Sequence, residues 1–175
     1  DERWELIDGV AYAMVPAPSI EHQRISRKIL EQLVLQLPEE GPCEAFYSPV
    51  DVLLPEQNET DEEAKTVVQP DLLVVCDQSK ILGRICRGAP TFVVEILSPS
   101  TAAKDRREKL EIYERHGVKE YWIVDPQNFT ITIRVLENGR YPAPTILDEG
   151  IVEVTSLPGV TIDTSKFFPP HGERR

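Results

Sequence analysis

Thr91-Phe92-Val93-Val94-Glu95-Ile96-Leu97-Ser98-Pro99-Ser100-Thr101 holds the pattern that decides the fold: six residues of apolar or β-branched type broken by a single carboxylate, then a turn. The run is too short and too rich in β-branched residues for a helix. Its alternation of polar and apolar residues has disappeared, as expected for a strand covered on both faces. Ser98 to Thr101 supplies turn and helix-capping residues. A helix is then predicted to about His116, with Gly117 as its stop, and Glu120 to Val124 resumes as a strand ending at Asp125-Pro126. Strand, helix, strand makes a crossover unit. Asp71 to Cys76 is a second run of the same fully apolar kind, so the pattern predicts an α/β (α+β) protein with a mixed central β-sheet sandwiched by helices.

Working outward, Glu5-Leu6-Ile7, Asp8-Gly9 and Val10 to Val15 read as a hairpin, followed by Pro16 and Pro18. Ser19 to Leu37 is predicted to be one amphipathic helix, with Arg24, Arg27 and Lys28 on its polar side and His22 along its apolar stripe. Ala45 to Leu54 reads as one strand, Pro55 to Lys65 as an exposed, mobile loop, and Gln78 to Gly88 as a connector carrying Arg84 and Arg87. Phe129 to Leu136 alternates before the hairpin signal Asn138-Gly139, and Ile151 to Val154 with Val160 to Ile162 supplies late strands. With no repeat or linker, residues 1–175 are expected to form a single domain, as the length and 41% hydrophobic content allow.

A formal charge of −11 repels polyanions at long range, so charge argues against promiscuous nucleic-acid binding. Cys43, Cys76 and Cys86 are odd in number and lack CxxC spacing, and Cys76 lies in an apolar run as a buried thiol would, so a reducing, cytoplasmic setting is expected. No apolar stretch approaches the roughly 20 residues of a membrane span, and no basic-then-apolar leader precedes Trp4. A soluble protein without membrane contact is expected. The chain opens on Asp1 rather than methionine, which leaves room for native residues ahead of it.

The chemistry concentrates on three residues. Asp71 sits at the mouth of one apolar run and Glu95 inside the other, where an unpaired charge is costly. If the runs are neighbouring strands, both carboxylates can point into one cleft, where their repulsion raises a pKa unless a cation compensates. Mg²⁺ or Mn²⁺ suits two oxygen donors, since these ions take waters or phosphates in the remaining positions. The bland reading pairs Glu95 with a structural Lys or Arg and has Asp71 capping a turn. At 100° per residue, Lys109 falls between Ile112 and Tyr113 on the sheet-facing flank, whereas Lys104, Glu108 and Glu111 point to the opposite side. Asp105 precedes Lys109 by four residues, so an i,i+4 pair also suits it.

Trp4-Glu5-Leu6-Ile7-Asp8-Gly9, Glu21-His22, Gln69-Pro70-Asp71-Leu72-Leu73-Val74-Val75, Val94 to Thr101, Asp105, Lys109, Tyr113 and Gly117 to Pro126 together resemble the Uma-type restriction-endonuclease family, within the PD-(D/E)XK nuclease superfamily. The resemblance runs from Trp4 to about Val160. It implies a restriction-endonuclease-like fold and Mg²⁺-dependent phosphodiester hydrolysis, with Asp71 matching the Asp of the PD motif and Glu95 the middle acid. The superfamily lysine normally stands two residues after that acid, where this chain has Leu97. Lys109 is then the migrated lysine, and Glu21, His22 and Asp105 are accessory candidates.

Other chemistries fit poorly. Ser98 lacks a G-x-S-x-G elbow, and the scattered histidines and cysteines lack zinc spacing. Tyr113, Tyr121 and Trp122 read as core packing, and Arg84, Arg87, Lys104, Arg106 and Arg107 as charges that flank the cleft in sequence and bear on phosphate only if they converge. The expected function is a metal-dependent endonuclease acting on DNA, with Asp71 and Glu95 as ligands and Lys109 as the electrostatic or water-orienting residue; a homodimer is the expected assembly, because double-strand cutters often pair two sites, and the strand preference stays open. The rival is a catalytically weak or inactive nucleic-acid or protein-binding module on the same fold.

Overall fold

The computed structural model describes residues 4–14, 17–57, 59–99 and 101–174. Val15, Pro16, Asn58 and Ser100, which enter the sequence reading as parts of a strand, a turn, a loop and a cap, lie outside the described residues.

The chain opens with the hairpin β1 (Trp4–Ile7) and β2 (Val10–Ala13). Both turn residues take positive φ, Asp8 at 50° and Gly9 at 79°, which is the twist a two-residue hairpin needs and which glycine adopts without strain. Helix α1 (Ile20–Gln36) follows; the Ser19 side chain caps it by accepting from the His22 amide, and Ile25, Ile29 and Leu33 form its buried stripe. The segment read as one strand from Ala45 to Leu54 is two, β3 (Glu44–Tyr47) and β4 (Asp51–Leu53), and they belong to different sheets. Pro49 between them has no N–H to donate to a ladder, so the strand cannot continue. Then come β5 (Val67–Val68) and β6 (Leu72–Val75). The expected connector contains a second small hairpin, β7 (Ile81–Leu82) and β8 (Ile85–Arg87).

After β9 (Phe92–Ile96), the predicted single helix is interrupted: α2 (Ala102–Arg106) ends at Arg107, whose φ of −123° and ψ of −75° leave the helical region, and α3 (Glu108–His116) starts anew. Gly117 closes α3 in the left-handed conformation. The remaining strands are β10 (Glu120–Asp125), β11 (Thr130–Val135), β12 (Thr145–Leu147), β13 (Ile151–Glu153) and β14 (Thr161–Asp163).

The central sheet has the order β12-β11-β10-β9-β6-β3 and is mixed, because β9 and β10 run parallel across the α2–α3 crossover while the other neighbours are antiparallel. Residues of one parity, Leu72, Val74, Val94, Trp122 and Val124, pack against α1 and the β13–β14 pair. Residues of the other parity, Leu73, Val75, Val93, Tyr121 and Ile123, pack against α3 and a second six-stranded sheet, β2-β1-β5-β4-β8-β7. Helices thus cover both faces as expected, α1 on one and α3 on the other, and a second sheet, which the sequence reading does not anticipate, shares the cover with α3. Two covered faces explain why the central runs are apolar without alternation. Cys43 and Cys76 form a disulfide, which corrects the reading of Cys76 as a thiol and removes the cysteine-based argument for a reducing setting; Cys86 is free and buried. Among the described residues no helix is long and apolar enough to cross a membrane.

Candidate functional site

The antiparallel register of β6 and β9 pairs Leu72 with Val94, and one further step sets Asp71 across from Glu95. Both acids therefore belong to the face covered by α3 and the second sheet, at the end of β6 where Pro70 stops the strand. Asp71 Oδ2 accepts from the Ile96 amide at 2.7 Å and from His22 Nε2 at 3.1 Å. Glu95 Oε1 accepts from Lys109 Nζ at 2.7 Å and from the Tyr113 hydroxyl at 2.9 Å. Lys109 and Tyr113 stand four residues apart on α3, so one helical face delivers both donors to one oxygen.

Glu5, on β1, is a full member of this cluster that the candidate residues from sequence omit. Its carboxylate bridges two amines, Lys109 at 2.9 Å on Oε1 and Lys104 on Oε2, and it accepts from the Gln69 amide at 2.9 Å. The available signal was the period-two alternation of β1, which turns Glu5 inward with Ile7. Lys104 was expected on the far side of the helix from Lys109. An unbroken helix would separate the two by about 140°, but the break at Arg107 resets the angle and both amines reach Glu5. Asp105 is also buried and lies 3.7 Å from Lys109. Tyr113, read as core packing, is buried but spends its hydroxyl on Glu95.

The electrostatics follow from three buried acids facing two amines. Burial would raise the Glu5 pKa, yet the Lys109 charge, the Lys104 bond and the Gln69 amide outweigh it and bring it from 4.5 to about 2. Burial pushes Glu95 well above the ordinary carboxylate range; Asp105, Asp71 and Glu5 add to the rise and Lys109 offsets only part of it. Asp105 is raised chiefly by burial. Lys109 would be lowered by burial, but the charges of Glu95, Glu5 and Asp105 hold it protonated, well above an ordinary lysine. Burial likewise opposes the charge on His22, but its bond to Asp71 wins and raises its pKa. The acids outnumber the two lysines, and the raised pKa values of Glu95 and Asp105 relieve that crowding by favouring their neutral forms.

The bonds described fall on Asp71 Oδ2 and Glu95 Oε1, which leaves Asp71 Oδ1 and Glu95 Oε2 as free donors among the described residues. Both are hard oxygens of residues that line one cleft of about 470 Å³. Among the described residues no three His, Cys, Asp or Glu side chains converge into a closed cage. The set fits an ion of the Mg²⁺ type, which binds through one or two carboxylates and keeps its other positions for water and phosphate.

His22, Glu21 and Asp105 all line this cleft, but Glu21 is exposed at its lip and makes no described contact with the acids. The basic residues that flank the cleft in sequence do not converge on it: Arg87 pairs with Asp61, Arg106 with Asp125, and no arginine lines the cleft among the described residues. Lys104 alone of that group enters it.

Comparison with known proteins agrees with this architecture. An uncharacterized protein of Synechocystis sp., slr1290, is 31% identical over 134 residues, 75% of this chain; the matched stretch spans 65% of that relative's length. A crystal structure titled as a "putative nuclease belonging to DUF820" from Anabaena variabilis superposes with a TM-score of 0.76 at 18% identity, covering 94% of this chain and 89% of that one. At that identity the likeness carries the fold, an α/β arrangement shared with that protein. A family model matches residues 1–165, and the chain belongs to the family it describes, "Uma2: Putative restriction endonuclease".

Proposed function

We propose that the protein is a metal-dependent endonuclease that hydrolyses phosphodiester bonds, with DNA as substrate. The observation that carries this reading is the meeting of Asp71, Glu95 and Lys109 in one cleft, with Lys109 Nζ 2.7 Å from Glu95. Membership of a family described as restriction endonucleases supports it.

Asp71 and Glu95 would hold the ion, Mg²⁺ or Mn²⁺, which when bound polarises the scissile phosphate and acidifies a water. The protein's own residues do the rest. Lys109 presents a fixed positive charge beside the phosphate, where negative charge develops in the transition state. Glu5 locks Lys109 and Lys104 to one carboxylate, so neither amine swings away. Tyr113 and Lys109 fix the Glu95 rotamer, and His22 with the Ile96 amide fixes that of Asp71. Each of these positions a group without the cost of reorganising it during the reaction.

A second reading, the catalytically weak or inactive binding module, draws on Leu97, which occupies the usual lysine position and is buried in the core. Cleavage of plasmid and single-stranded DNA in Mn²⁺, with a chelator control, separates the two. The endonuclease reading expects nicking by the parent, background activity for Asp71→Ala and Glu95→Ala, and a loss of about 10²- to 10³-fold for Lys109→Ala. Equal activity in parent and variants, or none in the parent, favours the binding module.

A further inference from the structure

The last residue of β3, Tyr47, is 63% exposed and lines the cleft. Among the described residues, no hydrogen bond or ring contact engages its side chain. Its backbone, by contrast, is fixed relative to the acids: Tyr47 pairs with Leu72 in the sheet, and the next amide, Ser48, donates to the Asp71 carbonyl at 3.0 Å. A free aromatic ring thus stands on the wall of the cleft, one step along the ladder from Asp71. Trp4 is the other strongly exposed aromatic among the described residues, and it does not line the cleft.

The charges around the cleft explain what such a ring is for. Proteins that grip a duplex draw most of their affinity from lysines and arginines set against phosphates. This chain carries a net charge of −11, no arginine lines the cleft among the described residues, and the two lysines there are committed to Glu5 and Glu95. Base stacking is the source of affinity that needs no charge, and it requires bases that are not already stacked in a duplex. The cleft, about 470 Å³, has the scale of a pocket for a small organic molecule, which is the scale of a nucleotide.

We propose that Tyr47 is a stacking platform for a base of an unpaired strand, and that the cleft prefers single-stranded over duplex nucleic acid. This deepens the nuclease reading and rests on it.

Fluorescence anisotropy with labelled oligothymidylate, alone and annealed to oligoadenylate, tests it on the whole chain, with Ca²⁺ as the ion so that the strand stays uncut. The parent is expected to bind the single strand more tightly than the duplex. Tyr47→Ala should weaken single-strand binding by about fivefold to a hundredfold, the range for loss of one stacked base, and Tyr47→Phe should retain it. An oligouridylate arm identifies the sugar, and tighter binding of either unpaired strand than of duplex supports the proposal. Parent-like binding by Tyr47→Ala, or preference for duplex, overturns the proposal and leaves the nuclease reading standing. A parent that binds neither single strand nor duplex overturns both.

Discussion

Replacing Glu5 with glutamine keeps the shape of the side chain and removes its charge, which leaves Lys109 and Lys104 without their shared counter-charge. The carboxyl titrates at about 2 in the folded protein against 4.5 when free, and its side chain is only 1% exposed, so solvent screening takes little away. At about 1.4 kcal/mol per tenfold change in proton affinity, that difference is worth about 3 kcal/mol of stability. The sign is set by the depressed pKa: the contribution is present in full above 4.5 and is lost as pH falls from there through about 2. Glu95 and Asp105, whose pKa values are raised, pull the other way, contributing stability at acid pH that is lost as pH rises. They are present in both proteins, but Glu5 helps to raise Glu95 and to hold Lys109 protonated, so the difference between parent and Glu5→Gln reads Glu5 together with its coupling to those two groups. Urea unfolding followed by far-ultraviolet circular dichroism from neutral to acid pH measures it. Glu5→Gln should be less stable by about 3 kcal/mol at neutral pH, with the gap closing toward pH 3. A gap that is absent at neutral pH, or constant across the range, would refute the reasoning.

Three further outcomes follow from the same structure. Gly117→Ala should cost about 1 kcal/mol in urea unfolding, because φ is 85° and a new Cβ meets nothing within 4 Å, so the cost is conformational alone; an unchanged midpoint would count against the left-handed cap. Trp122→Ala should cost about 3–5 kcal/mol, since the ring is fully buried, stands edge-on to Phe92 at 5.3 Å and donates to Glu120 at 2.6 Å; a loss under 1 kcal/mol would contradict its place in the core. Tyr113→Phe should cost about 1 kcal/mol by removing one of the two donors on Glu95 Oε1, and parent-like stability would show that the bond contributes nothing.

The central sheet was legible because β6, β9 and β10 are covered on both faces, and such burial writes continuous apolar runs into the chain. The second sheet was not. Its strands β4, β5, β7 and β8 are two or three residues long, and apart from the β7–β8 hairpin the pairings that assemble them are distant in sequence: β4 pairs with β8, and β1 with β5. Pairing at that distance leaves no local pattern to read. Lys109 was legible from its helical angle because Ile112 and Tyr113 share α3 with it and are buried. Lys104 was misplaced by the same arithmetic, which fails across the break at Arg107. Glu5 was missed because only its motif was noticed, although the alternation that buries Ile7 buries Glu5 as well. Whether the flanking basic residues converge was not legible in the sequence. Nearness in sequence to the crossover does not bring Arg84, Arg87, Arg106 and Arg107 to the cleft.

The central claim is that Asp71 and Glu95 share one divalent ion beside the Lys109 amine. Crystals soaked in Mn²⁺ and measured at its absorption edge test it directly. The account predicts an anomalous peak within bonding distance of one oxygen from each carboxylate, lost in Glu95→Gln crystals that keep the same fold. A peak elsewhere in the molecule, or none while Asp71, Glu95 and Lys109 stand in the arrangement described, would contradict it.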